Sequence, residues 1–283
     1  MCKRGDCSTV RLKEPRNLLK SKRALTIPVT YLILFVSLLA TISVTYSYAI
    51  VKISARGAFL KTSVAKQNLL VLDSAVHAVA WSFGASEVVY MDDCGGTFKI
   101  EAAAKNLVIN FTDEQSFSYT VFNSSVGKAF YELESSESSN DGLFVKGDYR
   151  AIGNQSTSTM TQIYFNTDDA KKLTLSYRPS ATALAIGTSN RKPLNLIRIY
   201  IINLNFSQSL TLKEKFYLKV VSLNVTTFAQ QYNLNVSVSS LALKAAFDGT
   251  QSTVWLPVSS NAEGLVVNLE IVVCNVKIQK AGV

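Results

Sequence analysis

The sequence predicts an α+β chain, mainly β, in which a long N-terminal helix that spans a membrane precedes an antiparallel β-sandwich. Three observations predict it. Ala24 to Val51 runs 28 residues without a charge, helical periodicity continues to about Trp81, and beyond Ser82 the apolar pattern changes its period to two. The boundaries drawn are a basic leader over 1–24, a helix over 25–82 and a β domain over 83–283.

The leader carries most of the chain's basicity. Its 24 residues hold eight Lys or Arg against two acids, within a net charge of +9 for the 283 residues. The body is therefore close to neutral, with no basic stripe and no recognisable nucleic-acid module, and nucleic acid is set aside as a partner. As a helix, the uncharged run is ~42 Å long against a hydrocarbon core of ~30 Å. Positive charge stands on its N-terminal flank, so the N-terminus is expected in the cytoplasm and the β domain outside the cell.

Past the membrane the helix turns amphipathic. Leu60, Val64, Val71, Leu72, Ala75, Val76 and Val79 share one face, while Lys61, Lys66 and Asp73 are placed mostly elsewhere. Pro28 suits a first helical turn, Gly84 marks a stop, and Gly57 is the weak point, leaving one long helix or a helix with a hinge. This stripe is expected to bury against the sheet.

In the β segment, Leu107, Ile109 and Phe111 alternate with Val108 and Asn110. Tyr232, Leu234, Val236 and Val238 alternate with Asn233, Asn235 and Ser237. The segments Phe117–Val121 and Leu173–Tyr177 follow the same rule, whereas IRIYIINL and VVNLEIVVCNVKI read as central strands covered on both faces. Turn signals at Asp93-Cys94-Gly95-Gly96, Ser138 to Gly142, Asn166 to Asp169 and Asp248-Gly249 divide ten to thirteen short strands.

Six Asn-x-Ser/Thr sequons, at Asn110, Asn123, Asn154, Asn205, Asn224 and Asn235, are candidate glycosylation sites on an exported surface. Cys2 and Cys7 fall in the leader. Cys94 and Cys274 lie in the β domain and form either a disulfide, which would stabilise the fold by several kcal/mol, or two buried free thiols. The sole histidine, His77, stands four residues after Asp73 and reads as a helical i, i+4 pair rather than a catalytic base. No nucleophile motif, phosphate-cradling glycines or metal-ligand spacing occurs. Asp92-Asp93, Asp168-Asp169 and the Glu132, Glu134, Glu137 group read as solvated acidic turns. The expectation is no enzyme, no cofactor and no metal.

Lys22-Arg23-Ala24 followed by Leu25-Thr26-Ile27-Pro28-Val29 resembles the processing site of archaeal type IV pilins. SEVVYMDDCGGTFKIEAAAKNLVINF is similar to the strand–Gly-Gly–strand opening of large archaeal pilin-like proteins. The resemblance implies that a prepilin peptidase cuts after Ala24, leaving Leu25 first and the helix on the product. It also implies self-association, or association with other pilin-like subunits, through that helix. The sequence departs from bacterial pilins in having Val29 where they carry an assembly Glu. Two other fates stay open: an uncut anchor, and a signal-peptidase cut after Ala49 in Ser47-Tyr48-Ala49. Two functions follow: a pilin-like surface structural protein or filament subunit, and a tethered module that binds surface glycans or polymers. An exposed aromatic groove would favour the second.

Overall fold

The computed structural model describes residues 22–133, 142–166 and 171–282, with side chains from residue 27 onward. Two compact units meet between Arg56 and Gly57. One 59-residue helix, α1 (Lys22–Ala80), runs through that point, so Gly57 is not a break.

In the first unit every side chain from Ile27 to Arg56 is exposed. The most apolar 18-residue window has a mean hydropathy of 2.2. Ser37, Thr41 and Thr45 turn their hydroxyls back onto the carbonyls of Leu34, Ser37 and Thr41, each at 2.8 Å. The helix thus satisfies these three side chains itself. Because α1 starts at Lys22, Pro28 lies inside the helix instead of in its first turn. Pro28 has no N–H, so the carbonyl of Ala24 lacks its i+4 donor.

The second unit is mostly β. One sheet contains β1 (Ser86–Met91), β5 (Gly153–Asn154), β8 (Ser180–Ser189), β9 (Lys192–Asn203), β11 (Phe216–Leu234) and β14 (Leu265–Lys280), in the order β1-β11-β14-β9-β8-β5. The other contains β2 (Gly96–Thr112), β3 (Ser118–Leu133), β4 (Phe144–Lys146), β6 (Thr161–Phe165), β7 (Lys172–Tyr177), β12 (Ser240–Phe247) and β13 (Thr250–Pro257). Its order is β13-β12-β2-β3-β7-β6-β4, with β10 (Leu210–Leu212) paired to β2. The strands are not uniformly short, since β2, β3, β11 and β14 run 16 to 19 residues. Nor is the pairing wholly antiparallel. β9 and β14 lie parallel from Val266↔Leu194 to Asn275↔Asn203, because the chain visits the other sheet between them.

Two apolar clusters fill this unit. The first surrounds the second half of α1: Leu69, Leu72, Val76 and Val79 pack with Phe98 and Tyr131 of one sheet and Leu218 and Ile278 of the other. The second contains no helix residue and joins Leu107, Ile109, Phe111 and Leu243 to Ile197, Ile199, Leu269 and Ile271. Four strands bury residues in both clusters, and each changes phase on the way. β2 goes from Phe98 and Ile100 to Leu107 and Ile109, and β3 from Ala129 to Val126. β9 goes from Ile201 to Ile202, and β14 from Val273 to Cys274. In β2 the change is a bulge, with Glu101↔Lys128 followed by Lys105↔Val126. Residues 102–104 of β2 thus stand opposite Gly127 alone, and such extra residues bend a strand and re-aim its side chains. Gly127 faces this bulge, where an added Cβ would lie 2.8 Å from the Leu204 carbonyl carbon.

The helix stripe differs from the expected one. Leu72, Ala75, Val76 and Val79 are buried, but Leu60 is 63% exposed, and Ala65, Asn68, Leu69 and Asp73 take the buried positions. The expected alternation holds for 107–111 and for 232–238, where Asn233, Asn235 and Ser237 are exposed. In β7 it fails, since Leu173 through Tyr177 are all buried. β9 and β14 are central strands as expected, yet one face of each alternates to half-buried residues, so cover is one-sided. Asp248-Gly249 makes the β12–β13 turn with φ of 52° and 77°, and Gly84 follows the helix at φ 74°.

Candidate functional site

Two polar assemblies stand out in the second unit. The first is inside the helix-filled core. Asp73 is fully buried. Its Oδ1 accepts from Thr161 Oγ1 at 2.8 Å and Tyr177 Oη at 3.1 Å, and its Oδ2 accepts from Lys146 Nζ at 2.6 Å. Thr161 gives its proton to Asp73 and so accepts from His77 Nε2 at 2.9 Å, which assigns the Nε2–H tautomer. His77 Nε2 also lies 3.4 Å from Asp73 Oδ1. Burial is the main influence on His77 and lowers its pKa, against the opposing pull of Asp73. Burial likewise raises Tyr177 far above the ordinary phenol. The i, i+4 pair of the sequence is therefore the end of a four-partner clasp from α1 to β4, β6 and β7. Thr161 and Tyr177 are buried, so the arrangement fastens the helix and gives no substrate access to a hydroxyl.

The second assembly lines a cleft of about 520 Å³. The β2 bulge turns Lys105 into it, where the side chain is only 3% exposed. Its ammonium lies 2.8 Å from Asp248 Oδ2 and 2.6 Å from Tyr164 Oη, and 4.8 Å from the centre of the Phe247 ring. Phe144 stands 5.2 Å from Tyr164, and Tyr149, 74% exposed, borders the cleft. The backbone beside Tyr149 is pinned from below. Fully buried Arg178 donates to Thr159 O at 2.9 Å, Arg150 O at 3.0 Å and Asp148 Oδ2 at 3.1 Å. Arg150 donates to Asp148 as well. These hydrogen bonds, Arg150's first and Arg178's next, hold the Asp148 carboxyl well below the usual carboxylate range. Aromatic faces on a rigid support beside Lys105, Lys128, Gln162 and Asn166 suit a polyhydroxylated ligand, stacked on rings and hydrogen-bonded at its edges. Sequence reasoning found the Asp73–His77 pair of the first assembly but not its partners from β4, β6 and β7, and it missed the cleft. The only signal for the cleft was Lys105, set between the apolar Ala102–Ala104 and the alternating Leu107, Ile109 and Phe111.

The predicted site residues are dispersed. Lys22, Arg23, Ala24 and Leu25 are in the first turns of α1. Asn123, Asn224 and Asn235 are exposed, while Asn110, Asn154 and Asn205 are half-buried. Cys94 and Cys274 are buried free thiols, so the disulfide expectation is replaced by its alternative. Cys274 donates to the carbonyl of Ala80 and touches Ser222, while Lys61 influences Cys94 from the other end of the buried helix. Nineteen helical residues separate those ends, or ~28 Å. Burial pushes both thiols up, Cys274 to about 11. Asp93 caps the turn to Gly95 N at 2.7 Å, and Glu132 pairs with Lys99 at 2.6 Å. Cys2, Cys7, Glu134, Glu137, Asp168 and Asp169 lie outside the described residues. Among the described residues no three His, Cys, Asp or Glu gather as a metal site. Compared with family models, curated proteins and solved structures, the chain matches none.

Proposed function

We propose that this chain is a pilin-like, membrane-anchored surface protein with a structural role. In this reading the bilayer surrounds residues 24–51, the N-terminus is cytoplasmic, and a β-sandwich is displayed outside. The observation that carries the reading is the wholly exposed, uncharged run of α1 behind a basic leader. The hydroxyls of Ser37, Thr41 and Thr45 bond within the helix, as hydrocarbon demands. Cleavage after Ala24 by a prepilin peptidase is supported by Pro28, which leaves that carbonyl without its helical donor. Helix-mediated assembly with sister subunits is part of the same reading. N-terminal sequencing of native protein is the test. Leu-Thr-Ile-Pro at the start supports processing, an intact Met1 leaves an uncut anchor, and Ile50 first would replace the reading with a secreted β protein.

A second reading, a tethered module binding glycans or surface polymers, is favoured by the aromatic cleft at Tyr149 and Tyr164. Titration of the chain with soluble neutral and acidic oligosaccharides tests it. Saturable binding that Tyr149→Ala abolishes supports the module, and no binding removes it.

A further inference from the structure

The sheet that contains β11 is unfinished along one side. β1 pairs only with Phe216 to Val221 of β11, and two backbone bonds between Ala85, Gly84 and Ser222 close that pairing. β11 continues to Leu234, paired on its other side with β14 throughout. Among the described residues no strand pairs with the β1 side of β11 from Val225 to Leu234, which leaves an edge of ten residues or ~34 Å. The strand's own residues give the edge little protection, and the Lys192 ammonium is held at its C-terminal end by the Asn233 and Asn235 side-chain oxygens at 2.7 and 2.6 Å. No charge occurs between Lys219 and Lys244, and the segment has neither Pro nor Gly. β1 carries Glu87 and β13 ends in Pro257.

The core face is also incomplete here. Phe228 lies opposite Ile271, Gln230 opposite Leu269 and Tyr232 opposite Val267, and all three partners belong to the helix-free core. Opposed residues share a face, so Phe228 is on the inner side. It is nevertheless 60% exposed. Something that extends the sheet would cover it.

We propose that the free edge of β11 pairs antiparallel with the same edge of a second copy of this chain. A two-fold axis perpendicular to a sheet keeps each residue on its own face, so the paired numbers must sum to an even value. The axis through Gln230 meets that condition and sets Phe228 against Tyr232 of the second copy, twice, on the inner face. It also sets Thr227 against Asn233 on the outer face. Aromatic cross-strand pairs stabilise, and a strand with no charged residue of its own sets no like charges directly opposite each other. An edge bearing Lys or Glu would oppose the same pairing. This interface belongs to the β body and is independent of helix-mediated assembly.

The test is cysteine cross-linking of the full chain in membranes, on a Cys2→Ser, Cys7→Ser background. On the axis Gln230 meets itself within disulfide reach. Gln230→Cys is expected to give a covalent homodimer under mild oxidation, and Phe228→Lys in the same chain to abolish it. Thr227→Cys, which faces Asn233, and Gln251→Cys, on the exposed β13 edge, are expected to stay monomeric. Equal cross-linking by all three cysteine variants would overturn the interface. So would an adduct from Gln230→Cys with a different protein, or its persistence in the Phe228→Lys chain.

Discussion

The two cores of the β unit solve the same packing problem differently. In the first, α1 fills the space between sheet residues and is fixed at two points by buried polar groups. Asn68 grips the backbone of Asp92 through both amide atoms, at 2.8 and 3.1 Å, and Asp73 holds Lys146, Thr161 and Tyr177. In the second, aliphatic side chains of both sheets meet with no helix between them. Its amide clasp, Asn195 on Ser259 N and O at 2.8 Å, ties a loop to a strand rather than one layer to another. Apolar contact is non-directional, so a helix bedded only in hydrocarbon could rotate or slide. Paired strands have their register set by the backbone ladder and need no such pins. A buried polar network is the means by which the helix acquires one position.

The largest effects expected from this contrast are at Asp73 and at one buried leucine of each core. Asp73→Ala strips a buried carboxylate from its three donors and should cost about 3 kcal/mol, measured by chemical denaturation of the full chain in detergent. Leu72→Ala in the first core and Leu243→Ala in the second should each cost about 2–5 kcal/mol, since both side chains are fully buried. If Asp73→Ala leaves stability unchanged, the helix is not pinned as described and the contrast between the cores fails.

A smaller effect is expected from pH. His77 faces Asp73, Thr161, Tyr177 and Lys146, and burial lowers its pKa below the ordinary 6.5. The unfolded chain therefore takes up the proton at a higher pH than the folded one. Stability should fall as pH drops below about 6.5 and level off below the lowered folded value. Denaturation midpoints compared between the native chain and His77→Gln isolate this contribution. The variant should lose that part of the slope, and identical slopes would show that His77 takes no share in the clasp.

The smallest expected effect sharpens the boundary between the cores. Cys274 stands at the phase change in β14, against the end of α1, with its thiol raised to about 11. Cys94 and Cys274 should resist alkylation at neutral pH in the folded chain and both react after unfolding. Failure of either to react after unfolding would point to a bond absent from this structure.

The sequence alone determined the elements whose signals are local. Absence of charge identified the exposed helix, period-two alternation placed Leu107, Ile109, Phe111 and Tyr232 inward, and Asp248-Gly249 marked its turn. Partnering was decided by tertiary structure. The helix stripe was read from hydropathy, which assigned Asp73 away from the core. Only three donors arriving from β4, β6 and β7 make its burial affordable. Long strands looked like short ones because each changes phase where it passes between the cores, and a phase change interrupts the very periodicity by which strands are recognised. The cleft joins side chains from β2, β3, β4, β6 and the β12–β13 turn, residues up to 145 positions apart, from Lys105 to Thr250. The open edge of β11 is invisible for the same reason: a strand's own residues carry its pattern, but whether a neighbour lies beside it depends on where another segment ends.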